Sequence, residues 1–434
     1  MRRVAARRAP GRAIELEIAA IGARGDGIAY HDGGPIYIPF AAPGDRVLAR
    51  LGPARGDGRI GHIQSILAGG PGRTPPHCRH FGRCGGCALQ HLGGAHYAEA
   101  KRALLVRALE RHGLGDAPIA PLRLLPPGTR RRARLSLLRP IAASAPARIG
   151  FAERASHAIV DLAECPVLGP PLLALVSPLR RLVAEILAPG EAGHATLQGS
   201  EGGIDVLLDL PRPPGLQQCE TLAAFAEAAD LARLCWRAAG SAAILPIAQR
   251  RAVRMNFSGV AVDIPPDAFL QATSEAEAAL RQSVLDALRN ARRIADLFAG
   301  LGTFSFALAT QAQIRAVEGW RPAVLALRQA ARRAGLEGRV VAEERDLEAS
   351  PLGAAELDAC DAVVFDPPRS GAKAQAAALA RSRVPRIAAV SCNPATFARD
   401  ARALVDGGYR LRQVEPIDQF VWSPHLELVA RFDR

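Results

Sequence analysis

The sequence predicts an α/β protein of more than one domain, and three observations carry that prediction. Its 434 residues exceed what one hydrophobic core comfortably organises. Residues 14 to 67 read as short strands broken by glycine turns. From about Phe269 onward, helical stretches alternate with short, wholly apolar strands, the pattern of a parallel sheet covered by helices on both faces.

In the first segment, Ile14-Glu15-Leu16-Glu17-Ile18 alternates with period two. Ile36-Tyr37-Ile38-Pro39-Phe40 follows a His31-Asp32-Gly33-Gly34 turn, and Val47 to Leu51 and Ile60 to Ile63 continue the pattern. Such a piece suits a five-stranded barrel, a form that often binds oligonucleotides; a β-rich accessory domain without a ligand is the plainer alternative. Gly69 to Pro76 breaks regular structure, and a cysteine cluster follows it. A helical run from Tyr97 to Arg111 sets Leu104, Leu105, Ala108 and Leu109 on one side. Residues 118 to 265 mix strands and helices, with a proline-rich turn at Pro211 to Pro214. These breaks divide the chain into 1–72, a central α+β domain 73–265, and 266–434, with the helix near 96–115 expected to pack on the last of these.

The formal charge of +13 points to an acidic partner, nucleic acid first. Arginine supplies nearly all of it, lysine occurring only at Lys101 and Lys373; arginine suits bidentate phosphate contacts, while a basic solvated surface is the bland reading. No apolar run reaches the roughly 18 residues that span a bilayer. Met1 to Arg12 is basic, but Glu15 and Glu17 interrupt the apolar stretch behind it, so no signal-peptide core is present. The expectation is a cytoplasmic monomer with a basic amino-terminal arm and no membrane contact, whose eight cysteines bind metal, act in catalysis or are simply buried.

Ile294-Ala295-Asp296-Leu297-Phe298 runs into Ala299-Gly300-Leu301-Gly302-Thr303-Phe304 and then a helix. Glycines at a strand-to-helix turn let a ligand approach the backbone beyond the carboxyl end of the sheet. Glu318 ends the next strand, where an acid reaches ribose hydroxyls. Phe306 stands near where a dinucleotide fingerprint would place its third glycine, so a cofactor without pyrophosphate, such as S-adenosylmethionine, fits better. Asp346 follows Val340-Val341-Ala342, and Asp366 follows Ala362 to Phe365 and leads into Pro367-Pro368-Arg369; both point into the same crevice. A plain αβ turn and a proline-stiffened loop are the bland readings of these two features.

Val390-Ser391-Cys392-Asn393-Pro394 ends the following strand, on the edge shared with the glycine turn. C5 of uracil is a poor nucleophile; thiolate attack at C6 makes C5 enolate-like and able to accept a sulfonium methyl. A base must then remove the C5 proton so that the thiolate can leave, which calls for a thiol of lowered pKa, a base and exclusion of water. Glu427, in Pro424-His425-Leu426-Glu427-Leu428-Val429, interrupts an apolar strand, where partial desolvation would raise its proton affinity. The alternatives are an exposed edge residue, and His425 as base. Cytosine-5 chemistry would commonly put a cysteine directly after Pro367, where Pro368 stands.

Cys78, Cys84 and Cys87, with Cys165 far along the chain, supply four thiolates suited either to a cubane iron–sulfur cluster or to structural zinc; the spacing does not choose. His77, His80 and His91 lie nearby and could substitute or merely sit on the surface. Cys219, Cys235 and Cys360 read as ordinary thiols.

Together these residues resemble the RNA uracil-5 methyltransferase family, in its branch with an amino-terminal TRAM domain and an iron–sulfur cluster; the resemblance covers nearly the whole chain. It implies an OB-like TRAM β-barrel over residues 14 to 67, a central iron–sulfur and RNA-binding domain, and a carboxy-terminal Rossmann-like S-adenosylmethionine-dependent methyltransferase domain. Cys78, Cys84, Cys87 and Cys165 match the ligands of a 4Fe–4S cluster. Asp267-Ala268-Phe269-Leu270-Gln271 looks like the family's Phe-x-Gln motif and implies that Gln271 touches the cofactor. Phe298, Gly300 and Thr303 match the cofactor loop, and Glu318, Asp346 and Asp366 the remaining binding positions. Ser391 to Thr396 is close to the nucleophile signature, and His425-x-Glu427 to the base motif. Thr129 replaces a Tyr that usually precedes the arginines, removing a stacking contact while Arg130-Arg131-Arg132 keep a capacity for phosphate. Asp346 and Thr303 occupy positions often or sometimes held by Asn.

Family members modify the TΨC loop of transfer RNA or loops of large-subunit ribosomal RNA, and the TRAM-plus-cluster layout leans towards ribosomal RNA. A target in a folded loop must be splayed out to reach Cys392. Two rival readings are a non-catalytic RNA-binding assembly factor, against which the intact nucleophile, base and cofactor loop argue, and an iron–sulfur redox enzyme.

Overall fold

The computed structural model describes residues 13–142 and 144–434; the basic arm from Met1 to Arg12 lies outside the described residues. The chain forms two compact units. The smaller takes residues up to Gly82, Gly86–Val106 and Trp422–Pro424, and the larger takes Arg83–Gly85, Arg107–Val421 and His425–Arg434. Among the described residues no helix is long and apolar enough to cross a membrane.

The smaller unit holds a six-stranded sheet in the order Ala13–Glu17, Arg46–Arg55, Gly58–Ala68, Gly34–Pro39, Asp26–His31, Ala20–Ile21. That is one strand more than the expected barrel, because a two-residue strand such as Ala20–Ile21 carries no periodic signal. Period-two alternation sends Leu16, Ile36, Ile38, Val47 and Ala49 into one core. His77 stacks on Trp422 and His91 lies against Phe81, so both rings serve packing. Tyr97 Oη accepts the Trp422 N–H at 2.8 Å, and Lys101 Nζ donates to the Ser423 carbonyl at 2.9 Å, which makes Trp422–Pro424 part of this unit.

The larger unit contains both the central and the carboxy-terminal sheets. The central one has seven strands in the order Ile159–Asp161, Arg148–Ala152, Arg132–Leu138, Ala192–Ser200, Gly203–Leu210, Arg233–Ala238, Ile244–Gln249. Helices Val176–Ile186 and Leu216–Ala228 cover it through Leu179, Val183 and Leu222.

The carboxy-terminal sheet has eight strands, ordered Val340–Glu344, Gln313–Glu318, Arg293–Leu297, Ala362–Phe365, Arg386–Ser391, Glu427–Asp433, Arg410–Asp418, Arg123–Leu124. The first five are parallel, as the apolar runs predicted. Glu427–Asp433 runs antiparallel to both neighbours, so the sheet is mixed. The cause is local: residues 419–426 return the chain without a crossover helix, and a short return can only make an antiparallel pair. Chain order reverses between Arg293–Leu297 and Ala362–Phe365, the switch point beyond which α/β sheets bind ligands at their carboxyl ends.

Candidate active site

Six polar positions converge on that carboxyl edge because each ends, follows or begins a strand of the sheet. Phe298 takes φ +60°, Gly300 +55° and Gly302 +91°, a left-handed run that turns the strand sharply into helix Thr303–Leu308. A side chain at Gly302 would come within 2.7 Å of Phe306, whereas one at Gly300 would meet nothing within 4 Å, so open space borders the turn. Thr303, half-buried, begins the helix.

Glu318 fastens this turn to its own. Its carboxylate accepts the Gly300 N–H at 2.9 Å and the Trp320 N–H at 2.7 Å. Asp346 is exposed and caps its loop by accepting the N–H groups of Glu348 and Ala349, at 2.9 and 3.3 Å. A Cβ on Gly319 would touch its Cα at 3.4 Å, so the loop lies beside the Glu318 strand end. Asp296, not singled out from the sequence, is fully buried; Oδ2 accepts Ser305 Oγ at 2.6 Å, while Oδ1 has no hydrogen-bond partner among the described residues. Burial lifts its pKa to about 7, and Asp366 and Glu318 add to the rise against the Ser305 hydrogen bond.

Across the switch point, Asp366 donates its main-chain N–H to the Leu297 carbonyl at 3.2 Å. The Pro-Pro-Arg turn that follows is tied to the next strand end, since Asn393 Nδ2 donates to the Arg369 carbonyl at 3.1 Å. Asn393 also caps helix Pro394–Asp406, leaving Cys392 between a strand end and a helix start. Antiparallel register sets Ser391 opposite Leu428, so the next step along brings Cys392 beside Glu427. Glu427 is 2 % exposed and lies on an interior strand, not at a sheet edge. His425, half-buried, accepts at Nδ1 from Arg369 Nη2 at 3.2 Å and meets Phe420 edge-on.

Electrostatics correct one expectation. Burial, then the negative fields of Glu427 and Asp366, push the Cys392 thiol up to about 12, opposed by Arg369. The thiol is therefore not pre-ionised by its surroundings, although it adjoins a helix amino terminus. Burial raises Asp366 and Glu427 as well, and repulsion from Asp366 adds to the rise of Glu427, so these two carboxyls titrate as a pair.

Two amides join that pair. Gln271 Nε2 donates to Asp366 Oδ2 at 3.3 Å; Gln419 Nε2 donates to Gln271 Oε1 at 2.9 Å and also to Glu427 Oε2. Gln419 was not read from the sequence. The signal was available, a polar residue directly after a strand end, as at Asp366 and Cys392. Arg131 was read as a phosphate contact, yet its side chain is committed inward, to Glu277 at 2.5 Å and to the Gln271 carbonyl at 3.1 Å. Arg132 lies over the Phe269 ring, and Thr129 Oγ1 closes a turn onto the Pro126 carbonyl.

The four cysteines read as cluster ligands divide between the two units. Cys78 and Cys87 fall in the smaller unit, and Cys84 and Cys165 in the larger. Cys84 is bridged to Glu153 beside the central sheet, with the Gly85 N–H on the Ala152 carbonyl at 2.9 Å. Among the described residues no group of three or more His, Cys, Asp or Glu is placed so that it could hold a metal ion.

The family model described as tRNA (Uracil-5-)-methyltransferase matches residues 250–432, which include every residue from Gln271 to Glu427 discussed above. An RNA methyltransferase of Rhizobium meliloti is 39% identical over 425 residues, covering 96% of this chain and 99% of its own. A 23S rRNA (uracil(1939)-C(5))-methyltransferase of Halomonas elongata is 35% identical over 437 residues, covering 95% and 88%. The chain belongs to the RNA uracil-5 methyltransferase family. The tRNA (uracil-54, C5)-methyltransferase of Pyrococcus abyssi shares the fold, with a TM-score of 0.74 at 23% identity over 96% of this chain and 100% of that one. This RNA methyltransferase is thus an enzyme of the S-adenosylmethionine-dependent class. Its crevice fits that methyl donor: the Glu318 carboxylate, the open side of Gly300 and the unpartnered Asp296 oxygen face one strand edge.

Proposed function

We propose that the enzyme methylates C5 of a uracil in large-subunit ribosomal RNA, acting as a cytoplasmic monomer. The juxtaposition of Cys392 and Glu427 at the carboxyl edge carries the mechanism. The Halomonas relative, similar over nearly the whole chain, supports the ribosomal substrate.

Cys392 sulfur, as thiolate, bonds to C6, and the C5=C6 electron pair moves to C5. S-adenosylmethionine would supply an electrophilic methyl group, C5 taking it as the sulfonium–methyl bond breaks and leaves S-adenosylhomocysteine. Glu427 then accepts the C5 proton; the released pair re-forms C5=C6, and the C6–S bond breaks to return the thiolate. Glu318 would hold the donor's ribose, with Phe298, Gly300, Thr303 and Asp346 around it, and Gln271 and Asp366 between donor and base. The raised thiol pKa implies that ionisation needs a compensating positive charge beside the sulfur, which Arg369 supplies in part and the sulfonium of a bound donor would add to.

A transfer RNA target is the second reading, favoured by the description of the matching family model. With labelled donor, 23S rRNA fragments are expected to gain 5-methyluridine, at least about tenfold faster per kcat/KM than tRNA transcripts. Preference for tRNA would reverse the substrate assignment, and label appearing outside C5 of uracil would overturn the reaction.

The 4Fe–4S cluster is a separate proposal, supported by the resemblance of Cys78, Cys84, Cys87 and Cys165 to the ligands of the family's cluster-bearing branch and not by their spacing. Protein purified without oxygen is expected to carry about four irons per chain, falling by half or more in Cys165→Ser. Iron-free protein of full activity would remove the cluster from the account.

A further inference from the structure

Gln419 sits at the centre of the carboxyl network with every polar atom of its amide engaged. Its Oε1 accepts the main-chain N–H of Ala272 at 3.1 Å, and its Nε2 donates to Gln271 Oε1 and Glu427 Oε2. A main-chain N–H can only donate, so the amide oxygen must face Ala272 and the nitrogen must face Glu427. The same logic runs on through Gln271: its oxygen receives Gln419, so its NH2 group faces Asp366. Two amides in series therefore aim N–H donors at two buried carboxyls. Gln271 is itself fixed from behind, by Arg131 on its carbonyl and by the Arg131 N–H on Ala272 O at 2.9 Å.

This arrangement has a consequence for proton transfer. An N–H donor stabilises the ionised carboxylate, the form that accepts a proton, against burial and against its charged neighbour. Because Oε2 of Glu427 is engaged by the donor, the incoming proton falls to Oε1. We propose that Gln419 is a positioning residue for C5 deprotonation, whose amide orients Glu427 so that Oε1 is the accepting atom and links that base to Gln271 and Asp366. The proposal rests on the reading of Glu427 as base.

Gln419→Met keeps length and volume and removes both donors. Its kcat is expected to fall about 10- to 100-fold with KM for RNA within about twofold. The midpoint of its pH–kcat profile should move upward by about one pH unit, and an RNA–protein adduct resistant to denaturation should accumulate, because only the last step is slowed. Gln419→Asn keeps the amide one methylene short and is expected to fall between the two; it also serves if Gln419→Met does not fold. A wild-type rate and pH midpoint in both variants would overturn the proposal. So would a slower rate with an unmoved midpoint and no adduct, the mark of a purely structural role. Glu427→Gln separates the layers: if it turns over normally, the base assignment itself fails, whatever Gln419 does.

Discussion

Cys392→Ala is expected to lower 5-methyluridine formation by about 10⁴-fold or more while leaving S-adenosylhomocysteine affinity within about twofold. The loss is large because no neighbour can replace sulfur. Glu427 and His425 flank the strand end, but neither an oxygen nor an imidazole beside C6 would leave as readily once the methyl is in place. Affinity should survive because Glu318 and the Gly300 turn, proposed to hold the donor, lie across the switch point from Cys392 and share no hydrogen bond with it among the described residues. Stability should also survive, since the thiol is half-buried and its loss removes one atom at the mouth of a crevice, not from a packed core. With transcripts carrying 5-fluorouridine, the wild type should form an adduct that persists through denaturation: fluorine at C5 leaves no proton for Glu427 to take. The alanine variant should form none. Because burial and two carboxylates hold the thiol protonated, the trapping rate should climb with pH through 7 to 9 without levelling. Residual 5-methyluridine in Cys392→Ala, or an adduct mapped to another residue, would remove sulfur from the reaction.

Much of this site was legible in the sequence because strand ends of a parallel sheet share one edge. An apolar run followed by a polar residue is therefore enough to nominate Glu318, Asp366 and Cys392 from the sequence. Asp346 was nominated by the same rule and does end a strand region, but its carboxylate is exposed and caps its own loop. What stayed hidden depends on pairing across long stretches of chain. Arg410–Asp418 alternates too irregularly to read as a strand: its exposed positions Arg410, Gln413 and Arg412 mask the buried Val414 and Ile417. Without that strand, nothing announces that Gln419 returns to the edge where Gln271, 148 residues earlier, presents its amide. Arg131 shows the reverse failure. A run of three arginines in a basic chain looks like phosphate recognition, and only burial against Glu277 reveals that one of them is a strut. The thiol pKa fails for a related reason: a helix start and Arg369 favour the thiolate, and the opposing fields of Glu427 and Asp366 appear only once strands align.

Glu427→Gln is expected to split stability from activity, losing turnover while gaining resistance to heat at alkaline pH. The chemical half follows from the order of bonds. Addition of Cys392 to C6 and methyl transfer to C5 need no proton acceptor at position 427, so both should proceed; the C5 proton then stays, the C6–S bond cannot break, and a methylated covalent adduct collects. Turnover should fall about 10²- to 10⁴-fold. The stability half follows from linkage. Burial, with repulsion from Asp366, raises the Glu427 pKa in the folded protein to about 8, well above its value in the unfolded chain. A carboxyl raised in this way binds its proton more tightly when folded. Its favourable contribution is complete below about pH 4 and drains away as pH climbs towards 8, where the folded state must hold a buried charge. Glutamine carries no such charge, and its amide oxygen can still accept from Gln419. The difference in Tm between variant and wild type should therefore widen from pH 6 to pH 9, by about 2 °C or more. Relief of Asp366 from its neighbour acts in the same direction. A Tm difference that stays level across that range would mean that position 427 carries no buried titrating charge. The desolvation that makes this carboxylate a stronger base would then be absent, and proton removal would have to be assigned elsewhere, to His425 first.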